Sequence, residues 1–79
     1  MRLYGRTVSK MFGYRKTEAP ELDDLELVAD SATLRRLAAF FAQVADQIDA
    51  DEGFDHAHLL DAWNAHGSGL PDVVVTAER

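Results

Sequence analysis

The stretch "DSATLRRLAAFFAQVADQIDADEG", residues 30–53, constrains the fold more than any other part of the chain. Leu34, Leu37, Ala38, Phe41, Val44, Ala45 and Ile48 recur at steps of three and four, whereas Arg35, Arg36, Gln43, Asp46 and Gln47 fall outside that line. This is the spacing of one apolar stripe on a helix. Asp30 or Ser31 caps its start, because either side chain can accept a hydrogen bond from an otherwise unpaired backbone N–H one turn ahead, and Gly53 marks its end. About eighteen helical residues at 1.5 Å each make a rod of roughly 27 Å. Burying the stripe's four large aliphatic side chains and its phenylalanine gains on the order of 10 kcal/mol before conformational entropy is subtracted. Something must cover that face.

Strands are the expected cover. "DLELVA", residues 24–29, alternates Leu25, Leu27 and Ala29 with Asp24, Glu26 and Val28, as a strand with one buried face does. "KMFGYRK", residues 10–16, puts Phe12 and Tyr14 on one side, and "TEAPELD" reads as the connection that makes these two strands a hairpin. "PDVVVTAE", residues 71–78, has three β-branched valines behind a proline, after the turn-like "HGSGLP". "FDHAHLLDAW", residues 54–63, reads two ways. As a strand, Phe54, His56, His58 and Leu60 share one face, with Asp55, Ala57, Leu59 and Asp61 on the other. As a helix, Asp55 caps it and Gly67 stops it. We favour a strand over residues 54–60, paired with the valine strand. The expected fold is α+β: a small two-layer sandwich of order β-β-α-β-β, with one amphipathic helix packed on a mainly antiparallel sheet.

Seventy-nine residues make one domain at most, and one this small hides only about 60 to 65% of the surface its unfolded chain would expose. With no cysteine, neither a disulfide framework nor thiolate chemistry can supplement the core. "MRLYGRTVSK" is followed by no continuous apolar run, so neither a signal peptide nor a spanning helix is expected, and the chain reads as cytoplasmic.

Charge is unevenly spread. Residues 1–16 hold Arg2, Arg6, Lys10, Arg15, Lys16 and no acid, so all fourteen acids follow Thr17, opposed there only by Arg35, Arg36 and Arg79, a net −11. Such a field repels nucleic acid and favours a basic macromolecular partner, although acidic surface also serves simply to keep a small protein soluble.

Chemistry is sparse. Histidines at i and i+2 on a strand point the same way with β-carbons about 6.5 to 7 Å apart, so His56 and His58 could converge on one metal ion. On the strand reading, however, Asp55 and Asp61 face away from them, and a third ligand would have to be His66 or a distant acid. The more ordinary reading is a pair of surface histidines. Ser9, Ser31 and Ser68 lack a triad setting, and the glycines form no phosphate-binding loop. We expect no enzyme activity and no cofactor. Trp63 beside Asp61, followed by "NAHGSG", suits either a recognition anchor or a cap on the core.

The segments "FGYRK", "LELVADSATLRRLAAFFAQVA", "FDHAHLLDAW" and "LPDVVV", in that order across residues 11–76, resemble the bacterial immunity protein 32 family of polymorphic toxin systems. That resemblance implies an α+β fold and a cytoplasmic protein that binds and neutralises one cognate toxin, with no catalytic residues. Joined to the charge argument, it puts Asp55, His56, His58, Asp61, Trp63 and Asp72 at the contact with a basic toxin, and no nucleic acid or membrane among the partners. Residues 1–10 stand outside it, as a start-site extension, a disordered tail or an added edge strand, "RLYGRTV"; residues 11–79 form the domain. Two alternatives have their own residues: a metal-binding protein or small metal-dependent enzyme built on His56 and His58, and a structural homodimer joined through an exposed sheet edge.

Overall fold

A computed structural model describes residues 1–6 and 21–79. The longest element, α1 (Ser31–Ala50), starts where the capping signal places it: the Asp30 carboxylate accepts the Thr33 N–H at 2.8 Å. It ends at Ala50, three residues before Gly53, because Asp51 turns extended. The Asp51 carboxylate then accepts the Gly53 N–H, and its carbonyl accepts the Phe54 N–H. Arg79 reaches back to close the helix end, donating from Nη2 to the carbonyls of Ile48 at 3.1 Å and Asp51 at 2.7 Å. A guanidinium there satisfies orphan carbonyls at the negative end of the helix dipole.

The strands form two antiparallel pairs. β1 (Arg2–Arg6) lies against β2 (Asp24–Val28), with Leu3 opposite Leu27 and Gly5 opposite Leu25. β3 (His56–His58) lies against β4 (Val74–Thr76), with Ala57 opposite Val75. The chain is therefore α+β, as expected. Instead of one sheet, the pairs make two separate two-stranded sheets, and a short helix, α2 (Leu59–Ala62), lies between β3 and β4. The partner of β2 is Arg2–Arg6, the segment considered as an added edge strand; the strand expected at residues 10–16 falls outside the described residues.

Residues 54–63 are neither all strand nor all helix. The strand expected over 54–60 is only three residues long, because at Leu59 the side-chain period changes from two to 3.6. Two contacts from the segment before β4 fix the junction: Leu59 N–H continues the β3–β4 register by one residue, donating to the Val73 carbonyl at 2.9 Å, and Leu60 N–H, already in the helical turn, donates to the Asp72 carboxylate at 3.0 Å. The second contact satisfies a backbone donor of the first helical turn, the service a capping residue normally performs locally. At the other end, Asn64 adopts φ 50°, and the N–H groups of Asn64 and Ala65 donate to the carbonyls of Asp61 and Leu60. That is a Schellman ending, so the stop is Asn64 and not Gly67.

Leu37, Phe40 and Val44 of α1 are buried with Leu59 of α2, and Ile48, Phe54, Ala57, Trp63, Val73, Val75 and Met1 pack around them. The buried line on α1 differs from the expected stripe. Leu37, Val44 and Ile48 belong to both, but Phe40 replaces Phe41 at the centre, and Leu34 and Phe41 stand 45% and 46% exposed. The helix is rotated toward Phe40 because Leu59, completely enclosed, sits on that side.

Candidate functional site

Three histidines follow the core, and each has a carboxylate partner. His56 Nδ1 is 2.7 Å from Asp55, His58 Nδ1 is 2.7 Å from Asp72, and His66 Nε2 is bonded to Asp61. β3 explains the first two placements. Ala57 points to the core, so its neighbours on either side point away from it, and the two imidazoles meet edge to face with centroids 5.0 Å apart. In the neutral tautomer that donates from Nδ1 to a carboxylate, Nε2 keeps its lone pair for another partner.

His56, His58 and Asp61 line one open groove with Phe40, Gln43 and Gln47 of α1. This corrects the expectation that Asp55 and Asp61 face away from the histidines. Asp55 precedes β3 and turns its carboxylate back onto His56, while Asp61 comes round on α2, whose helical period breaks the alternation. His66 pairs with Asp61 and does not join the other two imidazoles. Among the described residues, no three His, Cys, Asp or Glu side chains are placed to hold a metal ion together.

Asp72 has the most structural role of the six contact candidates. It accepts from both Leu60 N–H and His58, tying the end of β3 to the segment before β4. The Leu60 N–H first, and His58 second, hold its carboxyl below the ordinary carboxylate value. Trp63 is half-buried against the core, and the Arg36 guanidinium lies 4.1 Å above its ring. Of the two readings of Trp63, core cap or anchor, the geometry satisfies the first while leaving one edge in a neighbouring cleft with Arg36 and Gln43. The Arg36 contact was not foreseen from the sequence. Its only signal there is that Arg36 lies on the helix side away from the apolar stripe, as a residue free to reach another element must.

No helix among the described residues is long and apolar enough to cross a membrane. The chain matches no protein-family model, no curated protein and no solved structure. These comparisons lend no support to the resemblance to immunity protein 32.

Proposed function

We propose that the chain is a noncatalytic binder, an immunity protein acting in the cytoplasm that captures and neutralises one basic toxin. The observation that carries this reading is the charge of residues 21–79, where thirteen acids face three arginines, a net −10. Two of those arginines are engaged within the fold: Arg36 lies on Trp63 and Arg79 on the end of α1. With the five bases of residues 1–16 counted the whole chain is still net −6, and an acidic field speeds encounter with a cationic surface. Asp55 and Asp61, both well exposed, flank a groove whose histidines and glutamines can exchange hydrogen bonds with a partner. The order of the sequence segments supplies the toxin-system context.

The test pairs the chain with the C-terminal domain of a large toxin encoded beside it. Stopped-flow association should slow about tenfold or more between roughly 50 and 500 mM salt, and Asp55→Asn with Asp61→Asn should lower the on-rate further. A rate indifferent to salt, or no complex with that domain, rejects the reading.

A second reading has one observation in its favour. Both imidazoles of the His56 and His58 pair are oriented through Nδ1 by carboxylates, the arrangement that supports metal-ligating histidines elsewhere. Calorimetric zinc titration of the chain and of His58→Ala separates the two. Only tight binding abolished by the substitution favours the metal.

A further inference from the structure

α1 carries a second apolar line that the fold leaves in solvent. Leu34 and Phe41 are each close to half exposed, and Ala38 and Ala45 are exposed beside them. Positions 34, 38, 41 and 45 alternate steps of four and three, the spacing of the contact seam between paired helices, and Ile48, half-buried against the core, continues the line at its far end. This line lies roughly a quarter-turn round the helix from the one that packs on Leu59.

The charges along the same helix identify what fits there. From Ser31 to Ala45 the chain has two arginines and no acid; from Asp46 to Glu52 it has Asp46, Asp49, Asp51 and Glu52 and no base. The first turn contains no acid and the last turn no base. This polarity runs against the helix macrodipole, which favours acids at the start and bases at the end, so α1 gains nothing from it alone. An antiparallel copy of α1 gains from it at both ends. Arg35 and Asp49, fourteen residues apart, lie on one face at the outer flank of the apolar line, with Ala42 midway between them. A two-fold axis passing between Phe41 and Ala45 sets Phe41 level with Ala45 of the second copy and Ala38 level with Ile48. It also brings Arg35 within one turn of Asp49 of the second copy, and symmetry makes that pairing occur twice. Large side chains then oppose small ones, and opposite charges close the flank.

We propose that the outer face of α1, centred on Phe41 and Ala45, with Leu34 at its edge and Arg35 and Asp49 on its flank, is the contact of an antiparallel, two-fold symmetric homodimer. Among the described residues, none of Arg35, Asp46 and Asp49 forms an ion pair within the chain, so these charges are available to a second copy. A sheet-edge dimer uses none of these residues. The proposal is also independent of toxin capture, because the seam shares no residue with the groove around His56 and His58.

Sedimentation of the full chain from about 1 to several hundred micromolar tests it. The chain should reach a dimer within that range, and Phe41→Asp should raise the dissociation constant by about 100-fold or more. Arg35→Asp and Asp49→Arg should each weaken the dimer by roughly tenfold, and the double variant, which restores opposite charges across the axis, should return to within a factor of about three of the parent. Both single swaps improve the match to the macrodipole, so melting of the dilute monomer should be unchanged or raised, which separates a lost interface from a damaged fold. A monomer at every concentration overturns the proposal, as does a dimer that survives Phe41→Asp. Single-swap losses that add in the double variant, where the antiparallel pairing requires them to cancel, also overturn it.

Discussion

Asn64 and Asp72 each do with one side chain or one backbone angle what the local sequence does not advertise. Asn64 takes the left-handed conformation that ends α2, which asparagine tolerates better than any residue but glycine. Asn64→Gly should therefore hold or raise stability by a few tenths of a kcal/mol, while Asn64→Val should lower it by about 1 kcal/mol, read as urea midpoints at a constant slope. Asp72 makes a prediction with pH. Its carboxyl is depressed in the folded chain by the Leu60 N–H and then by His58, so the stability it contributes is complete above the ordinary carboxylate pKa and is lost as pH falls through the lower folded value. Melting curves of the parent and Asp72→Asn should diverge at neutral pH and converge as pH falls below about 4. Parallel curves throughout would show that Asp72 carries no linked proton.

At the scale of the elements, what was legible in the sequence is what neighbours along the chain decide. Asp30, three residues from the N–H it accepts, placed the start of α1, and the three valines placed β4. The face of α1 was less legible. Two apolar lines, one through Leu37, Phe40 and Val44 and one through Leu34, Ala38, Phe41 and Ala45, lie side by side, and only the distant Leu59 selects between them. The strand expected over residues 54–60 was cut short for the same reason, since the Leu60 N–H, a donor of the first helical turn, is taken by the Asp72 carboxylate, twelve residues on. The candidate site was legible as a list, because the two histidines and their neighbouring acids stand out in sequence. Its pairings were not, because His58 with Asp72 is a contact across fourteen positions. Adjacent phenylalanines test the choice of face. At concentrations low enough to keep the chain monomeric, Phe40→Ala should cost about 3 to 5 kcal/mol and Phe41→Ala under about 1 kcal/mol in urea unfolding. A larger loss for Phe41→Ala than for Phe40→Ala would mean that the stripe centred on Phe41 is the buried one.

For the whole molecule, charge and core size pull against each other. Leu37, Phe40, Val44 and Leu59 are the buried apolar side chains of the core among the described residues, and together they contribute on the order of 8 kcal/mol before conformational entropy. Against this small core stands the self-repulsion of a chain whose fourteen acids outnumber its eight bases by six. The exposed Arg6–Asp24 pair, 3.5 Å apart, offsets little of it, because surface ion pairs contribute at most about 1 kcal/mol. Salt screens repulsion between exposed charges over distances beyond roughly 10 Å. Raising sodium chloride should therefore stabilise the fold while slowing capture of a basic partner, two effects of opposite sign from one charge distribution. At fixed protein concentration, the melting temperature should rise by several degrees between about 20 and 500 mM salt, since 1 kcal/mol corresponds to about 4 to 8 °C in a domain of this size. A melting temperature that falls over that range would show that acidic repulsion does not limit the stability of the fold.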